Sequence, residues 1–101
     1  RRAFIRNLAS ELIRREKIET TETRAKAIRP IVEHLVTIAK KQTLASRRLL
    51  ISRIHNQKVV KKLYDELGPR YEKRPGGYLR IAKLSKSRKR DGSRLARVEF
   101  V

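Results

Sequence analysis

A chain of 101 residues has room for one modest core, because single domains most often hold about 100 to 150 residues. Its 28 Lys and Arg stand against 10 Asp and Glu, a formal charge of +18 at pH 7 with a sequence pI near 11.4, far beyond what solubility requires and enough to make the free protein repel itself. With no Cys there is no disulfide framework or thiolate metal site and no support for secretion, and no apolar run approaches the roughly 18 residues of a membrane-spanning helix.

The first predicted element is a helix. In RRAFIRNLASELIRRE the residues Phe4, Ile5, Leu8, Ala9, Leu12 and Ile13 form an amphipathic stripe, with Arg2, Arg6, Arg14 and Arg15 on the other faces. KIETT breaks that period. Ile18, Thr20 and Thr21 favour extended backbone, which predicts a short strand over residues 17–20.

Thr21 is placed to cap a second helix, with Glu22 favourable at the positive end of the helix dipole. Ala25, Ile28, Ile31, Val32, Leu35, Val36 and Ala39 give this helix a wide apolar face up to Lys40. Pro30 removes the hydrogen bond to Lys26 at a cost of about 3 kcal/mol or more. One kinked helix is therefore expected, with a break into two as the alternative.

Thr43 reads as the cap of a third helix through Leu44, Leu50, Ile51 and Ile54, and Asn56 as the cap of a fourth carrying Val59, Val60, Leu63, Tyr64 and Leu67. Gly68 followed by Pro69 predicts a stop, since glycine accepts the left-handed conformation past a helix end and proline does not continue a helix. Beyond Gly76 and Gly77, YLRIAKL reads as the central strand. LARVEFV at residues 95–101 alternates, with Ala96, Val98 and Phe100 on one face, and SKSRKRDGS between them reads as the basic loop of a long hairpin. This order predicts an α+β domain, a small three-stranded mixed sheet covered on one face by about four helices.

Charge of this size and sign calls for a partner dense in phosphate, nucleic acid before a membrane surface. The density is greatest over residues 70–94, where Arg70, Lys73, Arg74, Arg80, Lys83, Lys86, Arg88, Lys89, Arg90 and Arg94 face only Glu72 and Asp91. Such a run is usually a solvated loop, but the overall charge tips the reading toward binding. Pro69 and Pro75 stiffen the connection and the Gly pair turns it, so Arg70, Lys73, Arg74 and Arg80 are expected to project as a preset cluster, which lowers the entropy cost of docking.

Arginine outnumbers lysine, which favours structured RNA because guanidinium grips phosphate bidentately and stacks on exposed bases. The candidate RNA-binding residues are Arg1, Arg2, Arg6, Asn7, Arg14, Arg15, Arg47, Arg48, Arg70, Tyr71, Lys73, Arg74, Arg80, Lys86, Arg88, Lys89 and Arg90. For Tyr71, stacking on a splayed base and anchoring the turn to the helices are equal readings. For Tyr78, anchoring is favoured.

Catalysis finds little footing. His34 and His55 are separated by a helix boundary, and there is no HExxH motif, paired acidic cluster or nucleotide-binding fingerprint. No cofactor, metal or small-molecule substrate is expected, and His34 is expected to be a partly buried helix residue. The first helix has the basic face and apolar stripe of a membrane-surface helix, yet the stripes of four helices suffice to close one shared core, and no membrane partner is expected.

The strings RNLASELIRREKIETTETRAKAIRP, KLYDELGPRY and GGYLRIAKL, in that order and spacing, resemble the bacterial large ribosomal subunit protein numbered seventeen over essentially the whole chain. Its most specific parts are the Arg6 and Asn7 pair, Ile18 to Thr21 leading into ETRAK, Gly68-Pro69-Arg70, and the turn from Gly76 to Ile81. The resemblance implies a non-catalytic structural constituent of the large ribosomal subunit, binding its ribosomal RNA near the exit of the polypeptide tunnel and touching neighbouring ribosomal proteins. It implies a cytoplasmic setting in the ribosome of a bacterium, or an organellar ribosome of bacterial descent, and a further basic segment ahead of Arg1. Family members vary over Ser85 to Ser93, so the roles of Arg88, Lys89 and Arg90 rest less on matching motifs than those of Arg6, Arg70 and Arg80. Charge alone also supports a general DNA-compacting or regulatory protein, using the helix pair around Thr43 and Asn56. A small nuclease built on His34 or His55 with Glu33 is the third reading.

Overall fold

The computed structural model describes residues 2–87 and 94–101. Arg1, Arg88, Lys89 and Arg90 lie outside the described residues, as does most of the basic loop expected between the last two strands.

The apolar stripe of the N-terminal segment forms α1 (Arg2–Arg15), and Ala9, Leu12 and Ile13 bury it. Glu16 ends the helix in the left-handed region at φ 69°, a costly conformation for a residue with a Cβ, and swings the chain into β1 (Lys17–Thr21). Thr21 then caps α2 (Glu22–Lys40) as expected, its hydroxyl accepting from the Arg24 amide. Pro30 does not split α2, which runs unbroken through it.

Thr43 and Ser46 form a reciprocal capping box at the start of α3 (Leu44–Ile54). Asn56 caps α4 (Gln57–Lys62), accepting from the amides of Lys58 and Val59. The expected stop at Gly68 is corrected by the structure: α4 passes into a π-helical turn (Leu63–Leu67) and then a last short turn, α5 (Gly68–Arg70). Gly68 is right-handed, with φ −56° and ψ −58°. The wider π turn makes room for Pro69, whose ring would otherwise press on the carbonyl four residues back. Glycine is required at position 68 for a different reason, because a Cβ there would lie 2.8 Å from the Ala39 carbonyl oxygen. It lets the end of the last helical rod meet the end of α2.

Past the turn, where Gly77 takes φ +66°, come β2 (Leu79–Ser87) and β3 (Arg94–Phe100). The sheet order is β1-β3-β2 and both pairings are antiparallel. The expected mixed sheet with β2 as its central strand is corrected, since β3 lies between β1 and β2. With β3 inserted between them, the two strands that share a direction are never neighbours. The α+β class and the helical cover hold. α2 packs against all three strands, and Ala96, Val98 and Leu79 join Ile28, Val32, Leu35, Leu63 and Leu67 in one core.

Candidate nucleic-acid interface

A chain of charge +18 keeps its shape by placing its few carboxylates where they hold elements together. Glu16, at the strained corner after α1, receives Arg70 through both carboxylate oxygens at 2.6 and 3.2 Å and Lys62 at 3.0 Å. Lys62 also donates to the Arg14 carbonyl at 2.8 Å, and the Glu16 carbonyl accepts from the Phe100 amide at 3.0 Å. One glutamate thus ties α1, α4, α5 and β3 together. The Arg70 hydrogen bond is the main reason its carboxyl falls from 4.5 to about 2; burial opposes it as the next largest effect, and Lys62 lowers the carboxyl further. Arg70 in turn is pushed further up by Glu16.

Across the sheet, Glu99 lies between Lys17 and Arg80 in the strand register and takes Arg80 at 2.5 Å. Its carboxyl is lowered by that hydrogen bond. Glu19 pairs with Arg97 on the neighbouring row. Glu22, lowered chiefly by its hydrogen bond to Lys26, also lies 3.7 Å from Lys83, and Glu33 receives Arg29 and the Leu79 amide.

The candidate residues therefore divide. Arg70 and Arg80, expected in one projecting cluster with Lys73 and Arg74, engage different elements and are occupied by Glu16 and Glu99. Arg74 folds onto its own turn, donating to the carbonyls of Gly76 and Gly77 at 3.3 and 3.2 Å. Lys73 stays exposed.

Tyr71 is buried: its hydroxyl donates to the Val101 carbonyl at 2.7 Å and its ring lies 5.3 Å from Tyr78 and 6.1 Å from Phe100. It anchors the turn, and its face is not open to a base. Tyr78 is buried as well, held by Lys40 at 2.9 Å and Thr37 at 3.3 Å. Arg14 and Arg15 share Glu11, Arg47 lies over the Tyr64 ring at 5.2 Å, and Arg48 is exposed on α3. Arg2 lies in α1 and Lys86 in β2.

The structure brings Arg6, Asn7 and Arg14 together with four residues that sequence reasoning missed. A polar groove of about 520 Å³ runs between α1 and the α3–α4 junction, lined by Arg6, Asn7 and Arg14 on one wall and His55, Asn56, Lys58 and Lys62 on the other. Glu11 is the one carboxylate among the residues lining it. The signal for this second wall was legible, since Lys58 and Lys62 fall four residues apart on one helical face. Arg6 and Lys58 are exposed and carry no ion pair among the described residues. They are two of the cations free to neutralise phosphate, and Asn7 beside them supplies a donor and an acceptor.

Among the described residues no group of His, Asp and Glu is arranged to hold a metal, and no helix is long and apolar enough to cross a membrane. His34 is exposed rather than partly buried.

The sequence profile of the family described as "Ribosomal protein L17" matches residues 4–101. The chain is 50% identical over 99 residues to "Large ribosomal subunit protein bL17" of Hydrogenobaculum sp., covering 98% of this chain and 84% of that one. It is 52% identical over 102 residues to the protein of the same name from Persephonella marina, covering 100% of this chain and 82% of the relative.

Proposed function

The chain belongs to the ribosomal protein L17 family, and on that premise we propose that it is a non-catalytic structural constituent of a bacterial large ribosomal subunit. It binds large-subunit ribosomal RNA, lies near the exit of the polypeptide tunnel against neighbouring ribosomal proteins, and works in the cytoplasm as part of the ribosome. The observation that carries this reading is identity of about half the residues along the entire chain to proteins named for that subunit.

The geometry supports it. A core of aliphatic side chains locked by a handful of carboxylates presents surplus cations outward on a fixed frame, so neutralising RNA phosphate costs little conformational entropy. The groove between α1 and α4 is the strongest candidate for the RNA contact, with Arg48 and Lys73 as further phosphate contacts.

Sedimentation tests the reading. Tagged chain expressed in a bacterium is expected to migrate with large subunits on a sucrose gradient, and recovery confined to the free-protein fraction would sink the proposal. Competition at physiological salt separates RNA from DNA: large-subunit RNA is expected to displace random duplex DNA, and equal preference would instead favour a DNA-compacting role.

A further inference from the structure

A second groove flanks α1 on its other side. It lies between α1, α2 and α3, encloses about 780 Å³, and is floored by Ile5, Ala9, Ile13, Ile31, Leu35 and Ile54. Ile31, on the core-facing helix α2, is left 42% exposed there. The charged residues lining the groove are Arg6 and Arg53, both exposed, and no carboxylate is among the lining residues.

This chemistry narrows the occupant. The aliphatic floor gives nothing to a phosphate backbone, which could use Arg6, Ser10, His34, Ser52 and Arg53 but would leave that apolar area uncovered. A second copy of this chain is opposed by repulsion between two bodies of formal charge +18 and by the approach of Arg6 and Arg53 to their own equivalents. An apolar segment satisfies the floor, and carboxylates at its edge satisfy the two guanidinium groups.

We propose that the groove between α1, α2 and α3 receives a short apolar segment bearing acidic side chains, contributed by a different protein seated beside this one. The inference rests on the ribosomal reading, which supplies the neighbour. α1 then works with both flanks, its polar groove toward RNA and its apolar groove toward protein, with Arg6 shared between them.

The test places a photo-crosslinking amino acid at position 31 of the tagged full-length chain, assembled into large subunits in cells, with the crosslinked peptide identified by mass spectrometry. The expected adduct is a peptide of another protein containing apolar residues and at least one Asp or Glu. Arg53→Glu should lower its yield about fivefold and Arg53→Gln by less, while both variants sediment with large subunits as before. An adduct to RNA, to a second copy or to a peptide without a carboxylate overturns the proposal. So does the absence of an adduct, or a yield indifferent to both changes at position 53. Failure to sediment with large subunits removes the ribosomal reading and this proposal together, whereas sedimentation without the adduct removes this proposal alone.

Discussion

At the scale of single residues, Glu16 and Gly68 show how far a side chain's role departs from what its neighbours in sequence announce. Glu16 closes a helix in a conformation that disfavours it and is held there by Arg70 and Lys62. Its folded carboxyl titrates at about 2 against an ordinary 4.5, so its contribution is complete above about pH 4.5 and disappears as pH falls toward 2. Glu16→Gln is expected to cost about 1–2 kcal/mol at pH 7, less than the shift alone would indicate because the carboxylate is 35% exposed and screened by water. The difference from the parent chain should shrink across that acidic window in urea melts. Gly68→Ala poses the opposite problem: helical propensity favours alanine, but its Cβ would strike the Ala39 carbonyl at 2.8 Å. We expect a loss of about 1–3 kcal/mol, seen as a lower urea midpoint with an unchanged slope.

At the scale of elements, the helix starts were legible because caps are local. Thr21, Thr43 and Asn56 each lie within three residues of the amides they satisfy, so the sequence window contains both partners. Asn56→Ala should fray the start of α4 and cost about 1 kcal/mol, measurable as a lower thermal midpoint and faster amide exchange at Lys58 and Val59. The groove wall formed by His55, Asn56 and Lys58 depends on that junction, so the same variant should weaken RNA binding. Helix ends were harder to read. The π turn through Leu63–Leu67 and the helical Gly68 answer to α2 packed against them, and nothing within a few residues records that contact. Arg70 shows the same gap: no residue near it in sequence announces that it braces α5 to the corner after α1 through Glu16.

At the scale of the whole molecule, surplus charge and stability oppose one another. Val60 is 1% exposed within the shared core, and Val60→Asp should unfold the chain, losing more than about 3 kcal/mol, because an unpaired carboxylate would enter the interior. Circular dichroism would register the loss of helix. Arg6→Ala with Lys58→Ala removes two exposed cations from the polar groove and leaves the core intact. It should lower affinity for large-subunit RNA and reduce the slope of log K against log salt by about 1.5, without changing the thermal midpoint by more than a few degrees.

The one-dimensional chain determined the features whose causes are short-range or summed: helical stripes, N-caps, the strand alternation of LARVEFV, the absence of catalytic motifs, and a charge that demands a polyanion. The tertiary structure decided which strand sits in the middle, that Gly68 serves a close approach rather than a stop, that Tyr71 faces inward, and which arginines carboxylates occupy. Those outcomes depend on partners 19 to 82 positions apart, as for Arg80 with Glu99, Gly68 with Ala39, Tyr71 with Val101, Arg70 with Glu16 and Lys17 with Glu99. Contacts at that range are set by packing of whole elements, which leaves no mark within any local window.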